Sequence, residues 1–337
     1  MKAVGYRNSL PITDAKSLID VEIVDPVPGA RDLLVEIKAV SVNPVDTKVR
    51  MRAAPEPGGI KVLGWDAAGV VKAVGPSVTL FKPGDEVFYA GSIARAGTNS
   101  ELHLVDERIA AVKPRSLNFA QAAALPLTSI TAWELMFDRL GIVRGDPQRK
   151  GSLLIIGGAG GVGSIMIQLA RQLTGLTVIA TASRPESRDW VLALGAHHAV
   201  DHSKPLATEV RALGLQHVDF VASLTNSDQH LAQVAEIIVP QGRYGIIDDP
   251  KVFDVMLLKR KSVSLHWELM FTRAVFETPD MIEQHRLLTK VAGMVDAGSI
   301  RTTLSEEFGT IDAANLRRAH AVIESGRATG KIVLSGF

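Results

Sequence analysis

The chain has 337 residues, 46% of them apolar, with 37 basic against 36 acidic side chains and a formal charge of +1. That balance leaves no electrostatic footprint for nucleic acid or an anionic membrane as the main partner, and the length allows two domains. The absence of cysteine excludes disulfides and any zinc site built from thiolates.

In chain order, the segment up to about Ala124 reads as short strands and turns. Leu33–Val42 and Gly64–Val74 are apolar-alternating strands. Lys82-Pro83-Gly84-Asp85 is a turn into Glu86–Tyr89, and Glu101–Val105 is a further strand. Short strands between proline and glycine signals predict a small barrel-like domain. From Phe119 the pattern becomes helical. Strands then alternate with helices: Thr177–Ala182, His197–Asp201, His217–Ser223 and Gly242–Ile247 as strands, Glu186–Leu194 and Gln229–Ile238 as helices. Such alternation predicts a doubly wound parallel sheet, and the fold class is α/β. A helix over Met281–Ala297 and a last strand, Gly330–Leu334, are expected to return to the first domain. The expected domains are 1–124, 125–270 and a C-terminal return over 271–337.

Leu153-Leu154-Ile155-Ile156-Gly157-Gly158-Ala159-Gly160-Gly161-Val162-Gly163-Ser164 opens the alternating part. Gly158, Gly160 and Gly163 fit the G-x-G-x-x-G dinucleotide fingerprint: a tight turn, a close backbone approach to a pyrophosphate, and close helix–strand packing. Ala159, Gly161 and Val162 complete the turn that would face the phosphates at the helix start. Leu153–Ala170 carries no charge and approaches the length of a membrane span. Glycines in its middle and Lys150 and Arg171 at its flanks favour the strand–turn–helix, so no membrane partner and a cytoplasmic location are expected. About 20 residues beyond the glycines, NAD-specific folds place an acid on the ribose hydroxyls. Here that strand ends in Ser183-Arg184, and an arginine fork suits a 2′-phosphate, which favours NADPH. The alternative is that Glu186 supplies the acid two residues late and Arg184 is a surface residue.

The order of the β-rich start, Lys82-Pro83-Gly84-Asp85-Glu86-Val87, Leu125-Pro126-Leu127-Thr128, Gly158–Gly163 and Gly195-Ala196 resembles the medium-chain dehydrogenase/reductase superfamily. It is most similar to the zinc-independent quinone oxidoreductase branch, whose members also carry zinc-type alcohol dehydrogenase-like names. The resemblance implies a GroES-like catalytic domain, a Rossmann cofactor domain and a substrate cleft between them. It also implies a homodimer, with Ser262–Phe271 as the strand that pairs across it. Zinc-dependent members have a cysteine where this chain has Ser41-Val42-Asn43-Pro44-Val45-Asp46, and Gly-His-Glu where it has Gly64-Trp65-Asp66. A tryptophan offers no lone pair to a metal, so no zinc is expected.

By the same resemblance, His202 lies near the cofactor's phosphate and Lys331 is a C-terminal cofactor contact; an exposed loop histidine and an edge-strand lysine are the plain alternatives. Asn43 lines the substrate site, with Asp46 completing Asn-x-x-Asp, although the pair would also fix a turn and cap a helix. Thr128 lies beside the nicotinamide or caps its helix. Tyr89 is a candidate donor or a strand tyrosine, and Trp65 and Trp267 wall the substrate site or belong to the core. The function this implies is NADPH-dependent, zinc-free reduction of a small electrophile, a quinone or an α,β-unsaturated carbonyl. The alternatives are a zinc-free alcohol or aldehyde oxidoreductase and a non-catalytic NADPH-binding sensor or structural protein.

Overall fold

The computed structural model describes residues 1–148 and 150–337. The chain forms two units, Met1–Ile130 with Phe271–Phe337, and Thr131–Met270. The first contains β1 (Lys2–Tyr6), β2 (Ile19–Glu22), β3 (Asp32–Val42), β4 (Lys61–Val62), β5 (Asp66–Val74), β6 (Glu86–Ala90), β7 (Leu102–Asp106) and β8 (Ala110–Val112), with buried and half-exposed side chains alternating in β7 and through most of β3. The second contributes β9 (Ser152–Ile156), β10 (Thr177–Thr181), β11 (His198–Val200), β12 (Val218–Ser223), β13 (Ile238–Ile246) and β14 (Ser264–Trp267). The chain then returns to the first unit with β15 (Leu304–Glu307) and β16 (Lys331–Ser335).

The larger sheet of the first unit runs β15-β16-β3-β5-β6-β8, with β7 also on β3, and a small sheet runs β2-β1-β4. β3 is eleven residues long, and its register on β5 shifts twice, which lets one strand serve β5, β7 and β16. Val42 pairs with Ile332, which fixes the end of β3 against the start of β16.

In the second unit the sheet is wholly parallel, ordered β11-β10-β9-β12-β13-β14. Every residue of β9 is buried, as expected of a central parallel strand covered on both faces. Leu154, Ile156, Ile179 and Val221 join Leu231, Val234 and Ile237 of helix Ser227–Ile237 in one core. Helix Gly161–Leu173 buries Ile165, Met166, Ile167 and Leu169.

The observed first unit extends to Ile130 rather than Ala124, and the helix Pro126–Trp133 runs through the boundary. Helix Phe119–Ala123 packs on β3 and β5, so the chain stays with the first unit past the expected border. β1, β2, β4, β8, β15 and helix Ala313–Glu324 were not foreseen from the sequence. The strands among them have two to five residues, too short to show a period, and β2 and β15 are half exposed. His198 begins β11, within the expected strand His197–Asp201, and His197 Nδ1 accepts the Val178 N–H at 2.8 Å.

Candidate functional site

The glycine turn of the second unit follows from sterics that differ at each glycine. A Cβ on Gly158 would lie 2.7 Å from Ala180 Cβ, and one on Gly163 would lie 2.5 Å from Gly158 O. Both glycines are required by the protein's own packing. Gly160 is different: its Cβ would meet only Gly157 O, at 3.6 Å, so the space beside it is open. The turn is held against β10 by Gly157 N–H to Thr181 Oγ1 at 3.0 Å and Gly158 N–H to Thr181 O at 3.1 Å. Gly160 is the N-cap of helix Gly161–Leu173 and has no side chain to cap it. The result is an open cradle at the positive end of a helix, on the carboxyl side of a parallel sheet. Ala159, Gly160, Gly161 and Val162 line it. These residues fit a dinucleotide's pyrophosphate.

Ser183 and Arg184 follow β10 and are exposed. Arg184 is the N-cap of helix Pro185–Ala193, where its N–H donates to Ser187 Oγ at 3.2 Å. Glu186, the alternative acid, lies in the first turn of that helix. His202 follows β11 and is half-buried. Its Nδ1 is buried without a partner, and its ring stands edge-on to His230 at 6.2 Å. Burial lowers the pKa of both imidazoles. Trp267 ends β14 and is 56% exposed.

The first unit brings Asn43, Asp46 and Lys331 together with a residue that the motif reading had only noted as a departure, Asp66. All four are buried. Asp66 Oδ2 accepts Asn43 Nδ2 at 2.8 Å and Lys331 Nζ at 3.0 Å, and its Oδ1 accepts the Leu127 N–H at 2.7 Å. Lys331 Nζ also donates to Val42 O at 3.1 Å and to Asn43 Oδ1. Three acceptors use the three ammonium hydrogens. Asn43 spends its second amide hydrogen on Ser41 O at 3.3 Å, so its side chain is fully engaged with the protein. Asp46 accepts the N–H groups of Asn43 at 2.6 Å and Gly64 at 3.0 Å, closing a capping box on helix Pro44–Arg52. Burial pushes its pKa up to about 7, against the pull of those N–H groups and of Lys331.

The other expected site residues of this unit are also inside it. Thr128 Oγ1 donates to Leu125 O at 3.1 Å. Trp65 Nε1 donates to Ser92 O at 3.1 Å, and its ring meets Phe271 edge-on at 5.9 Å. Tyr89 is fully buried and hydrogen-bonded to His103 Nδ1 at 3.0 Å, while His103 Nε2 contacts Ala96 O at 3.0 Å. A carbonyl can only accept, so Nε2 carries the proton and the Tyr89 hydroxyl donates to Nδ1. Burial lowers the His103 pKa to about 4 and raises that of Tyr89. The Tyr89 proton is therefore committed within the core.

A second acidic cluster was missed altogether. Glu134 and Glu268 are both fully buried side chains, and Arg139 Nε lies 2.8 Å from Glu268 Oε2. Glu134 starts a π-helical stretch, Glu134–Arg139, and Glu268 follows β14. Burial first, and the neighbouring Glu134 second, push the Glu268 pKa up to about 9. No local motif links positions so far apart.

The second unit has the parallel sheet and glycine turn of a Rossmann domain, and the first is a β-rich domain of the GroES-like type. Residues 29–115 match the alcohol dehydrogenase GroES-like domain family, and residues 194–334 match the zinc-binding dehydrogenase family. The chain is 39% identical, over 99% of its length and all of the relative's, to a zinc-type alcohol dehydrogenase-like protein of Staphylococcus aureus (strain MSSA476). A solved structure from Rhizobium etli CFN 42, which takes its name from zinc-dependent alcohol dehydrogenases, superposes with a TM-score of 0.96. It is 62% identical, with 100% of this chain and 98% of that chain covered. A chloroplastic NADPH-dependent alkenal/one oxidoreductase of Arabidopsis thaliana is 38% identical over 55% of this chain and 49% of its own. This chain belongs to the medium-chain dehydrogenase/reductase superfamily.

The family names raise the question of zinc, and the donor set does not fit it. The chain has no cysteine, Trp65 turns its N–H to Ser92 O, and Asp66 is taken up by Lys331, Asn43 and Leu127. Among the described residues no group of three or more His, Asp or Glu side chains is arranged to hold a metal ion. No helix among them is long and apolar enough to cross a membrane.

Proposed function

We propose that the protein catalyses NADPH-dependent, zinc-free reduction of quinones or α,β-unsaturated carbonyls. The observation that carries this reading is the buried Asn43–Asp66–Lys331 cluster, which fills with an ion pair the segments where the family resemblance would place the zinc enzymes' ligands. Without a Lewis acid, the acceptors best suited to hydride are those that delocalise the resulting charge, as an enolate or a hydroquinone anion does. The alkenal/one oxidoreductase relative, named for NADPH, supports the same direction. Bound NADPH would supply the hydride. The chain's own contribution is to seat the pyrophosphate on the Gly160 cradle and the 2′-phosphate at Ser183, Arg184 and His202.

The test is NADPH consumption by chelator-treated protein with ortho-quinones and enones, with NADH for comparison. Chelator-insensitive turnover that prefers NADPH is the expected result. Turnover of saturated alcohols alone would replace this reading with an alcohol dehydrogenase, and NADPH binding without turnover would replace it with a sensor. Arg184→Ala should weaken NADPH by about 1–3 kcal/mol and leave NADH unchanged, measured by fluorescence titration. Equal weakening of both would place the phosphate elsewhere.

The same reading includes a homodimer formed through β14. This is the last strand of its sheet, and Trp267 and Leu269 at its end are 56% and 54% exposed. Light scattering should give twice the 36.1 kDa chain mass, and Leu269→Glu should shift it to the monomer.

A further inference from the structure

The strongest feature beyond the reductase reading is the way four distant segments converge on one carboxylate. The N-cap of helix Pro44–Arg52, just after β3, supplies Asn43, the start of β5 supplies Asp66, the first turn of helix Pro126–Trp133 supplies the Leu127 N–H, and β16 supplies Lys331. Both oxygens of Asp66 are used, and all three Lys331 hydrogens find oxygen acceptors. A buried charge pair with both carboxylate oxygens and all three ammonium protons engaged is the exception to the usual poor return on burying ions. It is also a geometry that fixes direction. Asp66 Oδ1 sets the first turn of the helix carrying Thr128, and Oδ2 with Lys331 sets the rotamer of Asn43.

We propose that Asp66 and Lys331 form the positioning pair of this unit, a protein-borne cation and its carboxylate that occupy the segments where the family resemblance places metal ligands and hold those segments in register. They join β3, β5, β16 and the Thr128 helix at one point. The disagreement between the family's zinc-binding name and the donor set then has a physical cause, because the carboxylate a metal would need is already neutralised from within. Lys331 acts through Asp66 and Asn43 and is a positioning residue, distinct from the cofactor contact implied by the family resemblance.

The activity part of this inference rests on the reductase reading; the structural part does not. Lys331→Met, Asp66→Asn and the double variant are compared with wild type in metal-free buffer. The readouts are thermal midpoint, NADPH dissociation constant, and kcat and KM for an enone. Lys331→Met strands a buried carboxylate, and the midpoint should fall by about 5–10 °C. The double variant removes both charges and should recover most of that loss. Its kcat should stay about tenfold or more below wild type, with the NADPH dissociation constant within about twofold. Additive losses of midpoint in the double variant would overturn the pairing. A raised NADPH dissociation constant in both Lys331 variants would return Lys331 to the cofactor and overturn the positioning role, as would wild-type kcat in the double variant. One zinc per chain retained through dialysis would overturn the substitution for metal. Absence of turnover in wild type would defeat the reductase reading, leaving the midpoint cycle to decide the pair.

Discussion

Gly160→Val should abolish NADPH binding, raising the dissociation constant about a hundredfold or more, while the thermal midpoint moves by no more than about 2–3 °C. The backbone at Gly160 is extended, with φ −71° and ψ 177°, a conformation that valine adopts readily. A Cβ there would meet no protein atom closer than Gly157 O, at 3.6 Å, so the space into which the side chain grows begins open. The cost therefore falls on whatever approaches the turn from outside, which in this architecture is the pyrophosphate. Gly163→Ala provides the contrast. Its Cβ would lie 2.5 Å from Gly158 O and 2.6 Å from Gly157 O, backbone atoms that cannot turn aside. That variant should lose stability first and binding as a consequence. Calorimetry with fluorescence titration separates the two; retained NADPH affinity in Gly160→Val would reduce the open turn to a structural element.

Glu268→Gln should make the protein more stable at pH 8 by about 1–3 kcal/mol, with a gain that shrinks as the pH falls toward 5. The sign follows from the pair. Folding raises the Glu268 pKa from the ordinary carboxyl range to about 9, so between about pH 4.5 and 9 the folded chain holds a proton that the unfolded chain has released. Stability therefore declines as pH rises through that window. Glutamine keeps a donor for Glu134 and has no proton to lose, so the decline should flatten. Urea unfolding at pH 5, 7 and 8.5 measures it; an unchanged slope against pH would mean that Glu134 and Glu268 do not share a proton.

The parts of the molecule legible in the sequence are those written in consecutive residues. The strand, glycine turn and helix over 153–173 can be read directly, since buried parallel strands need runs of branched aliphatics and the turn needs glycine. Asn43 and Asp46 are three residues apart and announce their capping box. The Asp66–Lys331 pair is not legible in this way. The Gly64-Trp65-Asp66 departure drew attention to Trp65, and Lys331 read as a cofactor contact, because nothing in either segment says that β16 lies beside β3. Glu134 and Glu268 were hidden for a further reason. Each sits in an apolar segment where an isolated acid passes for a surface residue, and only the packing of the π-helical stretch against β14 shows that both are inside. Tyr89, read either as a donor or as a strand tyrosine, lies in β6. A tyrosine in a catalytic-type unit invites a role as donor, whereas its hydroxyl is already given to His103.

The position of β16 also bears on how the chain is made. Translation delivers residues 131–270 with all six strands of their parallel sheet before any of β16 exists. The unit with β1 at its start must wait for a strand from the far end, because β16 fills the place between β15 and β3. Until then the Ala39–Val42 stretch of β3 presents a bare ladder edge, and Asp66 has no ammonium. Nascent chains stalled shortly before residue 331 would thus carry a finished parallel-sheet domain joined to an unfinished partner, a state open to strand exchange between neighbouring ribosomes.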